Sequence, residues 1–347
     1  MSIITIVGAG MMGSAMAFPA SDNGHSVRLV GTPLDRDIID EAIKTGYHKT
    51  LKRNLPQNTK CYQIENLDEA LQNCDLLIGG VSSFGVEWFG CEVLPKIPKT
   101  LPVISITKGL HADEDGTLTA FPDYLLTKPG CDGLSLNAIG GPCISFELAD
   151  RQNTVVAFCG KDIKTLEYIK SLLETEYYHI NLTTDILGIE TVVAMKNAYA
   201  LGVSLAIGMN ERINGENCPE KYNPQAGLFT QSTKEILGIL EITGGHADKI
   251  IYGAGDLYVT VFGGRTRRIG TLLGRGLTYG EAAEILKGVT LESVAITKVV
   301  IEAIKKLEEK NKANVKDFPL LLHIYDMITK GETVNVPWKQ FCETEDI

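Results

Sequence analysis

Residues 3–17 read Ile3-Ile4-Thr5-Ile6-Val7, then Gly8-Ala9-Gly10-Met11-Met12-Gly13, then Ser14-Ala15-Met16-Ala17. A short, continuous apolar run is the mark of a strand buried on both faces of a parallel sheet. The small residues after the last glycine can open a helix. The G-x-G-x-x-G pattern therefore stands between a strand and a helix, the context in which it carries meaning. Gly8 permits a tight turn, Gly10 lets a pyrophosphate approach the backbone, and Gly13 lets helix and strand pack closely. Met11 and Met12 fill the variable positions of the same turn, and the amides that open the helix suit phosphate oxygens. The plainer alternative is a strand–helix turn with no ligand. With a ligand, the stretch opens a Rossmann-type domain.

The chain continues in the same idiom. Further strands are expected at 25–30, 75–81, 102–107, 135–139 and 154–158, separated by segments long enough for crossover helices. An acidic residue closing the second strand would hold the ribose of NAD. Gly31-Thr32-Pro33 stand there instead, with Asp35 and Arg36 slightly later. Thr32 and Arg36 suit a 2′-phosphate, so NADP is as admissible as NAD. Alternatively, Arg36 is a solvated helix charge. In an open parallel sheet, ligands bind beyond the carboxyl ends of the strands. That rule makes Lys108 and Gly141 site candidates, against the alternative of an ordinary exposed loop lysine.

From about residue 184 the strand pattern stops. Helices are expected at 188–209, 225–242, 280–286, 292–310 and 317–329. The fold class is thus α/β, with a mostly parallel sheet in a dinucleotide-binding domain over 1–184 and an all-α substrate-binding domain over 185–347. In the first helix, Ile189, Val192, Val193, Tyr199, Ala200, Val203 and Ile207 recur at helical spacing, and Lys196 shares their face. A lysine there loses hydration unless a charge meets it. It is either a structural ion pair or an acid/base group. Residues 252–270 read as a glycine loop with Arg265, Arg267 and Arg268 in four positions. Guanidinium matches phosphate geometry, although a basic helix start paired with acidic neighbours has the same composition. Asp256 is placed to meet Lys196.

Composition narrows the function. A chain of 347 residues exceeds one ordinary core, which favours two domains. A net charge of −10 argues against a nucleic-acid surface, though local Arg and Lys can still hold a small anion. Its eight cysteines are scattered, with no C-x-x-C and no zinc spacing, and the histidines show no metal-ligand spacing. No metal is expected, and each histidine is read as structural. Without a secretory signal, reduced thiols in a cytoplasm are expected. The longest apolar run, near 198–209, is too short for a membrane span.

Taken together these motifs resemble the NAD(P)-dependent glycerol-3-phosphate dehydrogenases, in the same order over roughly residues 3–300. The carriers are GAGMMGSA from Gly8, SITKG with Lys108, and GGPCISFELA with Gly141, Cys143 and Ser145. After them come AMKNAYALG with Lys196 and Asn197, GAGDLYVT with Asp256 and Thr260, GGRTRRIG with Gly264, Arg265 and Thr266, and LES with Glu292.

The resemblance implies a catalytic set of Lys196, Lys108 and Asp256, with Lys196 moving the proton at the substrate C2 oxygen. It puts Lys108, Gly141, Cys143, Asn197, Thr260, Gly264, Arg265 and Thr266 on the substrate. It puts Gly8, Gly10, Met11, Met12, Gly13, Thr32, Lys108, Ser145, Arg265 and Glu292 on NAD or NADP. The implied reaction interconverts sn-glycerol 3-phosphate and dihydroxyacetone phosphate, supplying the glycerophospholipid backbone, in a homodimer. The chain departs from the family pattern at Thr266 (asparagine there), Cys143 (serine or asparagine), Met12 (aromatic) and Ser82 (proline). Two other readings remain: a related dehydrogenase acting on a small hydroxy acid, and a nucleotide-binding protein without catalysis.

Overall fold

The structure is a computed structural model that describes residues 1–342. The chain forms two compact units, one of Met1–Lys108 with Ala120–Glu190, the other of Gly109–Thr119 with the chain from Thr191 onward.

In the first unit, a sheet of eight strands among the described residues is built from β1 (Ile3–Val7), β2 (Ser26–Val30), β5 (Thr59–Tyr62), β6 (Leu76–Gly79), β7 (Pro102–Ser105), β10 (Ser135–Gly140), β11 (Thr154–Cys159) and β12 (Tyr178–Thr183). The short pairs β3 (Tyr47–His48) with β4 (Arg53–Asn54), and β8 (Leu110–Ala112) with β9 (Leu118–Ala120), lie outside it. The order is β12-β11-β10-β7-β6-β1-β2-β5, and every pair is parallel except β10 with β11. Ile4, Ile6, Leu76 and Ile78 feed one apolar core, while Val7, Leu77, Val103 and Leu136 feed another. A strand that supplies two cores is apolar on both faces, so β6 reads as a continuous run and β1 is interrupted only by buried Thr5, whose hydroxyl donates to the Ala70 carbonyl at 2.6 Å. The order reverses beside β1, so the loop after it opens at the switch point where such sheets bind ligands.

Two strands end before their expected limits. β6 stops at Gly79 and β7 at Ser105, because the next residues enter a turn in which Thr107 donates to the Val81 carbonyl at 2.6 Å. β5 and β12 were not expected. They are the edge strands: TKCY has no alternation to read, whereas YHINLT alternates apolar with polar over six residues, a strand signal that was present in the sequence.

The second unit is helical, as expected, but carries the β8–β9 pair as well. Gly116, at φ +90°, turns that pair so closely that a Cβ there would lie 2.8 Å from the Ala303 carbonyl oxygen. Its principal helix, Ile186–Asn214, begins just before the unit boundary. It is long and apolar enough to cross a membrane, but 83% of its most apolar stretch is buried, so it is a core helix. Residues 252–270 are not a glycine loop. They form the helices Ile250–Val261 and Gly264–Gly274. Their glycines serve helix contact. A Cβ on Gly270 would lie 2.5 Å from the Leu201 carbonyl oxygen, and one on Gly274 2.2 Å from that of Leu205. The Arg265 and Lys196 helices therefore touch backbone to backbone.

Glu235, in the helix Tyr222–Thr243, is buried in this unit. Its carboxylate accepts from Gln231 Nε2 at 2.7 Å, Tyr199 OH at 2.9 Å, and the Leu320 and Leu321 amides at 2.8 and 3.0 Å. Burial outweighs these donors and pushes the carboxyl up from 4.5 to about 7. A carboxyl whose folded pKa is raised stabilises the fold fully below its unfolded pKa, and that contribution is lost as pH rises through the folded one. Between about pH 5.5 and about pH 8 the loss amounts to about 2 kcal/mol. Glu235→Gln cannot ionise, so its stability in urea relative to the wild type should improve by that amount over this interval. A difference that does not change with pH would contradict the assignment.

Candidate active site

The first unit carries the glycine turn. Gly8 adopts φ +115° and donates to the Val30 carbonyl at 2.9 Å, closing β1 onto β2. A Cβ on Gly8 would meet the Gly80 carbonyl carbon at 2.5 Å, and one on Gly13 the Gly8 carbonyl oxygen at 2.1 Å. Only glycine fits either place. Above Gly10 the space is open, with no atom within 4 Å of a Cβ built there. The helix Met11–Ala15 starts at Gly10 without a side-chain cap; Met11 is exposed and Met12 half-buried. Open space over uncapped amides fits a diphosphate. Thr32 donates its hydroxyl to Asp35 Oδ2 at 2.7 Å, and Arg36 pairs with Glu65. The two residues offered to a 2′-phosphate are thus already engaged with carboxylates.

At the end of β7, Lys108 Nζ donates to the Gly141 carbonyl at 2.9 Å. Gly141 has φ +118°, a conformation that glycine tolerates and other residues resist. Cys143 Sγ lies 4.0 Å from Met12 Sδ. Two of the departures from the family pattern therefore touch each other, a thiol and a thioether in contact. Ser145, half-buried, opens the helix Ser145–Ala149.

The second unit carries a buried ion pair. Lys196 Nζ lies 2.5 Å from Asp256 Oδ1, with the side chains 14% and 1% exposed. The spacing of the two helices sets this distance. A Cβ on Gly253, one turn before Asp256, would lie 2.6 Å from Val192 Cβ, one turn before Lys196. Asn197 is half-buried beside Lys196. The Thr260 hydroxyl donates to the Asp256 carbonyl at 2.6 Å, within its own helix. Beyond lies the Arg265 helix, whose first residue Gly264 has φ +81° and whose N-terminus has no side-chain cap. Thr266 is buried in its first turn. Arg265 is half-exposed, with Nη2 3.9 Å from Glu292 Oε2. Arg267 instead donates to the Val261 carbonyl at 3.1 Å and pairs with Glu220 at 2.8 Å, joining the two helices.

Family comparison decides the relationship. The sequence model of the NAD-dependent glycerol-3-phosphate dehydrogenase N-terminus matches residues 3–166, and that of its C-terminus matches residues 185–339. The chain belongs to the NAD-dependent glycerol-3-phosphate dehydrogenase family. A member from Archaeoglobus fulgidus, named NADP(+)-dependent glycerol-3-phosphate dehydrogenase, is 32% identical and aligns over 95% of this chain and 96% of its own. Another, the glycerol-3-phosphate dehydrogenase [NAD(P)+] of Shouchella clausii, is 26% identical over 95% and 93%. The solved glycerol-3-phosphate dehydrogenase of Coxiella burnetii shares the family fold at a TM-score of 0.80, with 22% identity over 98% of this chain and 97% of that one.

Two residues given no site role from the sequence also bear on the glycine turn. The Ala9 amide donates to Asp35 Oδ2 at 3.2 Å, and the Ala9 carbonyl faces His48 Nε2 at 2.9 Å. Asp35 carried a signal, being an acid just after the second strand. For His48 there was none, because the two-residue strand holding it leaves no periodic trace.

Proposed function

We propose that this chain interconverts sn-glycerol 3-phosphate and dihydroxyacetone phosphate with NAD(H) or NADP(H). The observation that carries the proposal is the Lys196–Asp256 pair, a lysine on an apolar helix face with a buried carboxylate at 2.5 Å. A bound nicotinamide supplies the hydride in reduction and takes it up in oxidation. Lys196 gives the proton to the C2 oxygen in reduction and accepts it in oxidation. Asp256 fixes the lysine's position. Lys108, steered by the Gly141 carbonyl, stabilises negative charge on the same oxygen. Arg265, the amides from Gly264 and the Thr266 hydroxyl hold the phosphate, and this grip orients the reacting carbon. Gly141, Cys143, Asn197 and Thr260 border the substrate. Gly8, Gly10, Met11, Met12, Gly13, Thr32, Ser145 and Glu292 hold the dinucleotide.

In this reading residues 1–184 are the dinucleotide-binding domain and 185–347 the helical substrate-binding domain. The chain works in the cytoplasm as a homodimer and supplies the glycerophospholipid backbone; family membership supports each of these. The test is purified full-length protein with dihydroxyacetone phosphate, followed at the reduced-nicotinamide absorbance band with NADH and NADPH in parallel. At least one cofactor should be oxidised as glycerol 3-phosphate appears. If neither is oxidised, the proposal fails.

A further inference from the structure

We infer that His48 is a positioning residue for the cofactor turn, holding the Gly8–Gly13 loop in its binding shape through the Ala9 carbonyl and the Ser14 hydroxyl. The inference rests on the dinucleotide reading above and adds to it the part that keeps the loop in shape. His48 is fully buried, and its ring is used on both sides. Nδ1 accepts from the Leu51 amide at 3.0 Å, so it carries no proton. The ring proton therefore sits on Nε2, which lies 2.9 Å from the Ala9 carbonyl oxygen and 2.8 Å from Ser14 Oγ. Burial lowers the pKa of the ring, in keeping with the neutral form.

These two contacts bracket the loop. Ala9 lies between Gly8 and Gly10, and Ser14 follows Gly13. On the opposite side of the Ala9 residue, its amide is held by Asp35. The Ala9 peptide groups are thus fixed from both sides, and they set the direction of the amides that follow. The base of the clamp is rigid as well. His48 lies in β3, paired with β4; Arg53 of β4 forms an ion pair with Asp150 at 2.6 Å; Leu51 packs on Phe18 and Ala149. The β3–β4 hairpin stands between the helix Arg36–Thr45 and β5. Holding His48 under the turn gives it a purpose.

His48 touches no reacting atom, so its loss should appear in cofactor binding and not in the chemical step. His48→Leu leaves the buried Ala9 carbonyl without its donor. In the full-length protein, Kd for NADH and NADPH by fluorescence titration should rise about tenfold or more. The kcat at saturating cofactor and the KM for dihydroxyacetone phosphate should stay within about twofold of the wild type. His48→Gln, whose amide can still donate to Ala9, should recover most of the lost affinity. Ser14→Ala removes only one contact and should weaken binding severalfold, which keeps the inference testable if His48→Leu does not fold. Cofactor affinity within twofold of wild type in both His48→Leu and Ser14→Ala would overturn it. So would His48→Gln binding as poorly as His48→Leu, or a fall in kcat at unchanged cofactor affinity. A wild-type chain that binds neither cofactor would overturn the dinucleotide reading itself, a result distinct from these.

Discussion

Lys196→Met should lower kcat for dihydroxyacetone phosphate by about 10²- to 10⁴-fold, the range that a positioned general acid supplies. Cofactor affinity should be unchanged, since Lys196 is assigned to the proton and not to the dinucleotide. The substitution has a second consequence. It leaves Asp256, whose side chain is 1% exposed, as a buried carboxylate without its cation. Removing one partner of a buried pair costs roughly 3–5 kcal/mol, so part of any activity loss can come from unfolding. The double variant Lys196→Met with Asp256→Asn separates the two effects. Its thermal midpoint should return toward that of the wild type, while its kcat should stay as low as that of the single variant. Activity within about tenfold of wild type in the double variant would remove Lys196 from the acid/base role.

Arg265→Ala should raise the KM for dihydroxyacetone phosphate by about 10- to 150-fold, equivalent to the 1.5–3 kcal/mol of hydrogen bonds to a charged group. The fold itself should not suffer. Arg265 is 53% exposed and only 3.9 Å from Glu292, and a pair of that kind contributes little stability. An unchanged thermal midpoint with a raised KM therefore marks a binding role. Arg265→Lys keeps the charge but not the planar fork, and should lie between wild type and alanine. Arg267→Ala is the contrasting case. Its guanidinium caps the preceding helix and pairs with Glu220, so its loss should appear in stability first. An unchanged KM in Arg265→Ala would take this arginine out of the phosphate site.

Part of this protein was legible in its sequence because the relevant signals are local. The glycine turn and its flanking strand and helix fall within fifteen residues, and the structure has each in the expected order. The central strands β1, β6 and β7 were readable because burial on both faces leaves them mostly apolar. Residues 252–270 were misread for a physical reason. Glycine marks loops when nothing else is known, yet here Gly253, Gly270 and Gly274 are helical and let neighbouring helices meet. The β8–β9 pair and β5 were too short to leave a period, whereas β12 did leave one in YHINLT. The clamp on Ala9 was hidden for a different reason: Asp35 and His48 lie 26 and 39 residues away from it in sequence, and only the folded chain brings them to this one residue.

The most direct measurement of the central claim is the ratio of kcat/KM for dihydroxyacetone phosphate to that for unphosphorylated dihydroxyacetone, in the wild-type chain with its preferred cofactor. A site that combines the Lys196–Asp256 proton donor with an arginine phosphate grip should favour the phosphorylated ketone by about 10²-fold or more, the effect of one to two charged hydrogen bonds. A ratio near one, or turnover of neither ketone, would contradict it.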